Sequence, residues 1–198
     1  MQQTRLRGVK IGVVLTGSHC TTEEVIPELR ILKREGAEIY PIFSFVVDVT
    51  DNRFYKAEEL KTMIKGVTDH PIINTIVGAE PIGPQKLLDI VIVAPATGNT
   101  IAKLANGIID TPALMALKAQ LRNQRPVVIA VSTNDALSLN AKNIGTLLAM
   151  KNIYFVPFRQ DNPLEKANSL VANMDKITET VICALQGRQL QPLMLGPC

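Results

Sequence analysis

Ile90-Val91-Ile92-Val93 runs directly into Ala94-Pro95-Ala96-Thr97-Gly98-Asn99, and a helical stretch then opens at Thr100 and continues to Ile108. An apolar strand, a small polar turn containing glycine and a helix, in that order, describe one unit of an open parallel α/β sheet. In such sheets ligands bind in the crevice at the carboxyl ends of the strands. Pro95, Thr97, Gly98, Asn99 and Thr100 can set backbone N–H groups, two hydroxyls and an amide against a ligand without steric cost.

Outward from this unit the chain alternates strand and helix patterns. Val9 to Leu15 is a continuous apolar run, expected as a strand buried on both faces. Thr21-Thr22-Glu23-Glu24 offers a capping box, with Thr21 as N-cap and Glu24 three residues on. Val25, Ile26, Leu29 and Leu32 share a helical face, and Gly36 ends the helix. Glu38 to Phe45 is expected as the second strand, Asp48 to Asn52 as a turn and Lys56 to Lys65 as a charged surface helix. Gly66 to Gln85 is broken by Pro71, Gly78, Pro81, Gly83 and Pro84 and leaves room for one short element between Ile72 and Val77.

Leu88 to Ala94 is the third strand. Thr100 to Ile108 and Pro112 to Arg122 follow as helices, the second capped by Asp110 or Thr111 with Pro112 in the first turn. Pro126 to Ser132 is the fourth strand, a helix lies within Ala141 to Met150, and Ile153 to Val156 is the fifth strand. Leu170, Val171, Met174, Ile177, Val181 and Ile182 predict one long helix from Asn168 to Leu185. Right-handed crossovers give a doubly wound parallel sheet, a flavodoxin-like or Rossmann-like three-layer sandwich with strand order 2-1-3-4-5. Residues 1–186 form this domain, and residues 187–198 form a tail that wraps a partner or hangs free.

Composition narrows the function classes. The chain has 198 residues, a formal charge of +3 and no tryptophan, consistent with one domain whose sheet is packed between helices. Arg5-Leu6-Arg7 with Lys10 is the one local basic cluster, too little for nucleic-acid binding. No apolar run is long enough to span a membrane. The start imitates a signal peptide, but Val9 to Leu15 is short and leads into Thr16-Gly17-Ser18-His19 instead of a cleavage site, so a cytoplasmic chain is expected. Cys20, Cys183 and Cys198 form no paired motif, and neither a disulfide framework nor a metal site is expected.

Four strands end in similar chemistry: Thr16-Gly17-Ser18-His19-Cys20, Ser44, Pro95 to Asn99, and Ser132-Thr133-Asn134-Asp135. A helix N-terminus exposes unpaired N–H groups, so Gly17, Ser18 and the turn at Thr21 make a phosphate cradle. Neither a GxGxxG fingerprint nor a P-loop is present, and a mononucleotide such as FMN suits the pattern better than NAD. His19 beside the cradle either contacts the ligand or only caps the loop. His70, in Asp69-His70-Pro71, is read as a turn residue, Cys20 as a small buried side chain with a reactive thiol as the alternative, and Asp110 as a cap. The catalytic candidates are His19, Asn134 and Asp135.

Pro95-Ala96-Thr97-Gly98-Asn99-Thr100 resembles the PASANT motif of the homo-oligomeric flavin-containing cysteine decarboxylases. Ile101 to Asp110 and Thr16-Gly17-Ser18 resemble that family too. The resemblance implies FMN, with Gly17 and Ser18 on the phosphate, Ser44 supporting it, and Pro95, Ala96, Thr97, Gly98 and Asn99 near the flavin ring. Ser132, Thr133 and Asn134 complete the implied set. It also implies a homo-oligomer, a trimer or a dodecamer. The decarboxylases carry a catalytic His ahead of the third strand, where this chain has Gly78 to Pro84, and a PxMN segment where it has Val131-Ser132-Thr133-Asn134. Both departures argue against cysteine decarboxylation.

Gly17 to Thr21, Ala79 to Pro84, Ser132 to Asn140 and Lys151 to Pro163 together are similar to one component of the two-chain dehydrogenases of spore-forming bacteria. That resemblance implies a partner chain with its own NAD(P)-binding domain and oxidation of dihydrodipicolinate to dipicolinate in the mother cell. The helix at Ser18 and the Thr133/Asn134 loop would then bind carboxylates in place of phosphate. An FMN-dependent decarboxylase of a cysteinyl substrate and a non-catalytic scaffold remain the alternative readings.

Overall fold

The computed structural model describes residues 4–68 and 70–196. Five parallel strands make the frame: β1 (Lys10–Leu15), β2 (Glu38–Phe43), β3 (Ile90–Ala96), β4 (Val127–Thr133) and β5 (Ile153–Phe155). They pair in the order β2-β1-β3-β4, with β5 on the far edge of β4, which is the expected 2-1-3-4-5. All seven residues of β3 are buried, because helices cover both faces of a parallel sheet. The helices α1 (His19–Arg34) and α8 (Ile177–Leu185) pack on one face. On the other lie α4 (Ile76–Ala79), α5 (Gly98–Ala105), α6 (Pro112–Arg122) and α7 (Ala141–Leu148), giving three layers. α3 (Ala57–Lys65) buries Ala57, Leu60 and Ile64, exposes Glu58, Glu59 and Lys65, and ion-pairs the half-buried Lys61 with Asp48 and Glu58.

The long terminal helix expected from Asn168 is not formed. Leu170–Ala172 is a strand, β7, and Met174–Lys176 a 3₁₀ turn before α8. β7 runs antiparallel to the end of β4, pairing Val171 with Ser132 and Leu170 with Thr133. On its other side it pairs with β6 (Phe158–Gln160), a strand the sequence pattern did not predict. Leu170 and Val171 fit a helical period, but the unpaired edge of β4 wins them for the sheet.

Other boundaries shift for local reasons. α1 begins at His19 with Ser18 as N-cap, and the Thr21 hydroxyl donates to the Ser18 carbonyl at 3.0 Å instead of capping the helix. β2 stops at Phe43, and Ser44 takes the N-cap position of α2 (Phe45–Val49) without a side-chain cap; this helical turn occupies part of the expected Asp48 to Asn52 turn. Ile73 bridges Ile42 before α4 begins. β3 extends through Pro95, after a cis Ala94–Pro95 bond, to Ala96. Thr111 caps α6, accepting from the Leu114 N–H.

The tail, described to Gly196, packs on its own chain. The Gln189 side chain bonds both backbone groups of Phe155, and Leu193 and Leu195 bond Phe158 along the outer edge of β6. Asp69 and Cys198 lie outside the described residues; Cys20 is exposed where burial was expected, and Cys183 is half-buried.

Glu28 is a buried acid in the α1–α8 layer, 5% exposed. Its Oε2 accepts from the Thr178 hydroxyl at 3.5 Å. Burial, reinforced by Asp175, pushes its carboxyl above the ordinary range, against weaker opposition from Thr178 and Arg34. A raised folded-state pKa favours the folded chain at pH below the unfolded value and weakens it as pH rises through the folded value. Glu28→Gln is therefore expected to raise the melting temperature by a few degrees at pH 7. The gain should vanish near pH 4 when both proteins are followed by thermal denaturation.

Candidate functional site

The parallel strands deliver their carboxyl ends to one edge, and the antiparallel β6–β7 hairpin rises beside that edge. Between them lies a cleft of about 1180 Å³. Its floor is Gly17, Ser18 and Thr21 from the start of α1, Thr97 from the end of β3, and Ser132 to Asn134 from the end of β4. Its far wall includes Arg159, Lys166 and Val171, and Arg53 and Phe54 stand at the near lip.

Three hydroxyls from separate segments meet in the floor. Ser18 Oγ and Ser132 Oγ are 2.7 Å apart, and Thr21 Oγ1 donates to Ser132 Oγ at 3.0 Å. The 16-residue α1 begins here with no acid in its first turn and no side chain capping it. Its N-terminal N–H groups and dipole thus favour an anion. Thr16 joins the central strands by donating to the Pro95 carbonyl at 2.7 Å while accepting from the Thr97 N–H at 3.0 Å.

The charges are unevenly matched. Lys166 is ion-paired with Asp161 at 2.7 Å. The side chain of Arg159, half-buried on β6, forms no hydrogen bond or ion pair among the described residues, though Glu24 lies within its field. Burial, helped by Asp175 and Asp161, pushes the Glu24 carboxyl up. Arg53 lies over the Phe54 ring, 4.8 Å from its centre.

His19 lines this cleft and is hydrogen-bonded on its inner side. Its Nδ1 is 2.7 Å from the Tyr55 hydroxyl, which donates in turn to Thr22 Oγ1 at 3.1 Å. Burial lowers the His19 pKa, so the ring is neutral near pH 7.

Of the other expected site residues, Gly17, Ser18, Thr97, Ser132, Thr133 and Asn134 come together in the lining. Pro95, Ala96 and Gly98 are buried behind Thr97, and Asn99 is exposed outside the lining. Ser44 is also outside it, its hydroxyl buried with no hydrogen-bond partner among the described residues. Asp135 has both carboxylate oxygens engaged, by Thr133 Oγ1 at 2.6 Å and Asn140 Nδ2 at 2.7 Å. His70 stacks on Tyr40, ring centres 3.7 Å apart.

Arg53, Tyr55, Arg159 and Lys166 were missed. Asn162-Pro163 between two short apolar stretches was the available signal for a hairpin, and its Asn162 side chain does cap the turn at Leu164 and Glu165. A Cβ on Gly98 would lie 2.5 Å from Asp135 Oδ1 and 2.7 Å from both Asn140 Nδ2 and Thr133 Oγ1. Gly98→Ala is expected to cost about 1–3 kcal/mol by overpacking, measured by urea unfolding, while exposed Asn99→Ala stays close to wild type.

The B subunit of dipicolinate synthase from Bacillus subtilis (strain 168) is 49% identical over 190 residues, covering 96% of this chain and 95% of that protein. The crystal structure of the corresponding dipicolinate synthase chain from Bacillus halodurans C superposes with a TM-score of 0.90 at 48% identity, over 98% of this chain and 99% of that one. SpaF, an FMN-dependent cysteine decarboxylase, matches with a TM-score of 0.60 at 22% identity over 92% of this chain and 97% of that one, a likeness of fold. The family model named Flavoprotein matches residues 1–186, and the chain belongs to that family.

Proposed function

We propose that this chain is the flavoprotein-type subunit of a dipicolinate synthase. It would work with an A subunit carrying an NAD(P)-binding domain to oxidise dihydrodipicolinate to dipicolinate in the mother cell of a sporulating bacterium. The 49% identity over nearly the full length supports the assignment. The observation that carries the chemistry is the pairing, across one cleft, of the α1 N-terminus with an Arg159 that lacks an ion-pair partner among the described residues. A planar dicarboxylate offers one carboxylate to each. Arg159 binds in a planar fork, and the helix N-terminus binds with backbone N–H groups and the Ser18 hydroxyl.

The alternative occupant of the same floor is the phosphate end of FMN, in place of a substrate carboxylate. The orphaned Ser44 hydroxyl at the neighbouring strand end is the kind of group a ligand satisfies. Gly17, Ser18 and Ser44 would hold the phosphate, with Thr97 and Ser132 to Asn134 beside the rest of the molecule. A bound flavin would supply a two-electron acceptor. The chain's own residues position the anion and, through the hairpin, limit water around it.

The homo-oligomer, a trimer or a dodecamer, belongs to this reading. Phe45, Val46 and Val49 near the lip are exposed apolar surface that an assembly would cover.

Dihydrodipicolinate, oxidised nicotinamide dinucleotide and the two purified chains together should give reduced nicotinamide absorbance. Either chain alone should give little, and full activity of the partner chain alone would overturn the assignment. Arg159→Ala is expected to raise KM for dihydrodipicolinate about 10- to 100-fold, the scale of a lost hydrogen bond to a charged group. An absorbance scan with and without added FMN tests the flavin: bands that persist after gel filtration support it, and their absence removes it.

A further inference from the structure

Aromatising a dihydropyridine removes two hydrogens from the ring. One leaves with its electron pair, as hydride, to the oxidised nicotinamide on the partner chain. The other leaves as a proton, and its C–H electron pair closes the last ring double bond. The proton needs an acceptor in the cleft, whose lining offers the His19 imidazole and the carboxyls of Glu24, held in the field of Arg159, and Asp161. Asp135 is committed to Thr133 and Asn140, and Asp161 to Lys166.

We propose that His19 Nε2 accepts this proton and that Tyr55 is the positioning residue that leaves that nitrogen bare. The inference rests on the dehydrogenase reading above, and its first half concerns hydrogen-bond direction alone. Thr22 Oγ1 donates to the Ser18 carbonyl at 3.5 Å, so its oxygen is open to the Tyr55 O–H. Tyr55 is 6% exposed, and burial pushes its phenol up, keeping it a donor. With its hydrogen directed at Thr22, the Tyr55 oxygen accepts from His19, which places the imidazole hydrogen on Nδ1.

Nε2 is then the lone-pair nitrogen. It lies 3.8 Å from the place a Cβ would take on Gly17, in the cleft floor, with no hydrogen-bond partner among the described residues. Tyr55 is itself held: its N–H donates to Asn52 Oδ1 at 3.3 Å, and its carbonyl accepts from the Asn52 N–H at 3.1 Å. The ionisable side chains that share the cleft lining with His19 are Cys20 and Glu24 from α1, Arg53 at the lip, and Arg159, Asp161 and Lys166 from the hairpin. The arrangement has the base–orienter geometry of general-base sites, with a hydroxyl in place of the usual carboxylate.

The chain has two histidines, so ¹⁵N-histidine spectra assign themselves with one His70→Asn control. At pH 7.5 the isolated wild-type chain should show His19 as the Nδ1–H tautomer, and Tyr55→Phe should show it mixed. An Nε2–H tautomer in wild type overturns the proposal. In the complete two-chain enzyme His19→Asn should lower kcat about 10²- to 10⁴-fold with KM nearly unchanged. Imidazole should partly restore His19→Ala, and Tyr55→Phe should lower kcat less while shifting the acidic limb of the pH–rate profile. Wild-type kcat in His19→Asn overturns the base role. A wild-type pair inert toward dihydrodipicolinate, with the tautomer as expected, overturns the functional reading and the base role while leaving the Tyr55 contact supported.

Discussion

The structure depends on one strand having more length than its parallel neighbour can pair. β4 runs from Val127 to Thr133, and β5 covers only Val127 to Ile129. Backbone N–H and C=O groups beyond Ile129 would be left as a bare edge in a buried part of the sheet, a cost the chain must remove. β5 breaks away after Phe155, and the chain returns as β6 and β7, with β7 antiparallel on Ser132 and Thr133. The hairpin that satisfies this edge is also the wall that turns an open strand-end crevice into a cleft.

The floor of that cleft is stiff because each strand end is tied to its neighbour by a side chain. Thr16 bonds both Pro95 and Thr97, Ser18 and Thr21 bond Ser132, and Gly98 lies flat against the Thr133–Asp135–Asn140 network. Such cross-links hold polar groups in place before a ligand arrives, which reduces the ordering cost of binding. They also explain why several residues of the Pro95 to Asn99 turn serve the turn itself. Pro95, Ala96 and Gly98 are packed inward, and Thr97 alone faces the cleft.

Much of this was legible from local pattern. Unbroken apolar runs marked β1 and β3 as strands covered on both faces, and their polar, glycine-bearing ends marked the edge where the cleft lies. Gly17, Ser18, His19, Thr97 and Ser132 to Asn134 were found because strand ends in a parallel sheet converge whatever the intervening lengths. Arg159 and Tyr55 were not, since neither lies at a parallel strand end. Tyr55 reaches His19 through the Asn52 turn, and Arg159 arrives on a strand that exists only because β4 needs a partner. Leu170 and Val171 misled for the same reason: their spacing suits a helix face, while their pairing is decided by a strand far away in sequence.

Local pattern in the chain was enough to specify the layered α/β frame, the strand order 2-1-3-4-5 and the edge at which polar groups gather. These follow from hydrophobic period and the handedness of short crossovers. The antiparallel hairpin, the packing of the tail along β6 and the meeting of His19, Tyr55 and Thr22 were settled by long-range folding alone. Each of those depends on a donor and an acceptor from separate segments coming within about 3 Å, the reach of a hydrogen bond, which no local pattern encodes.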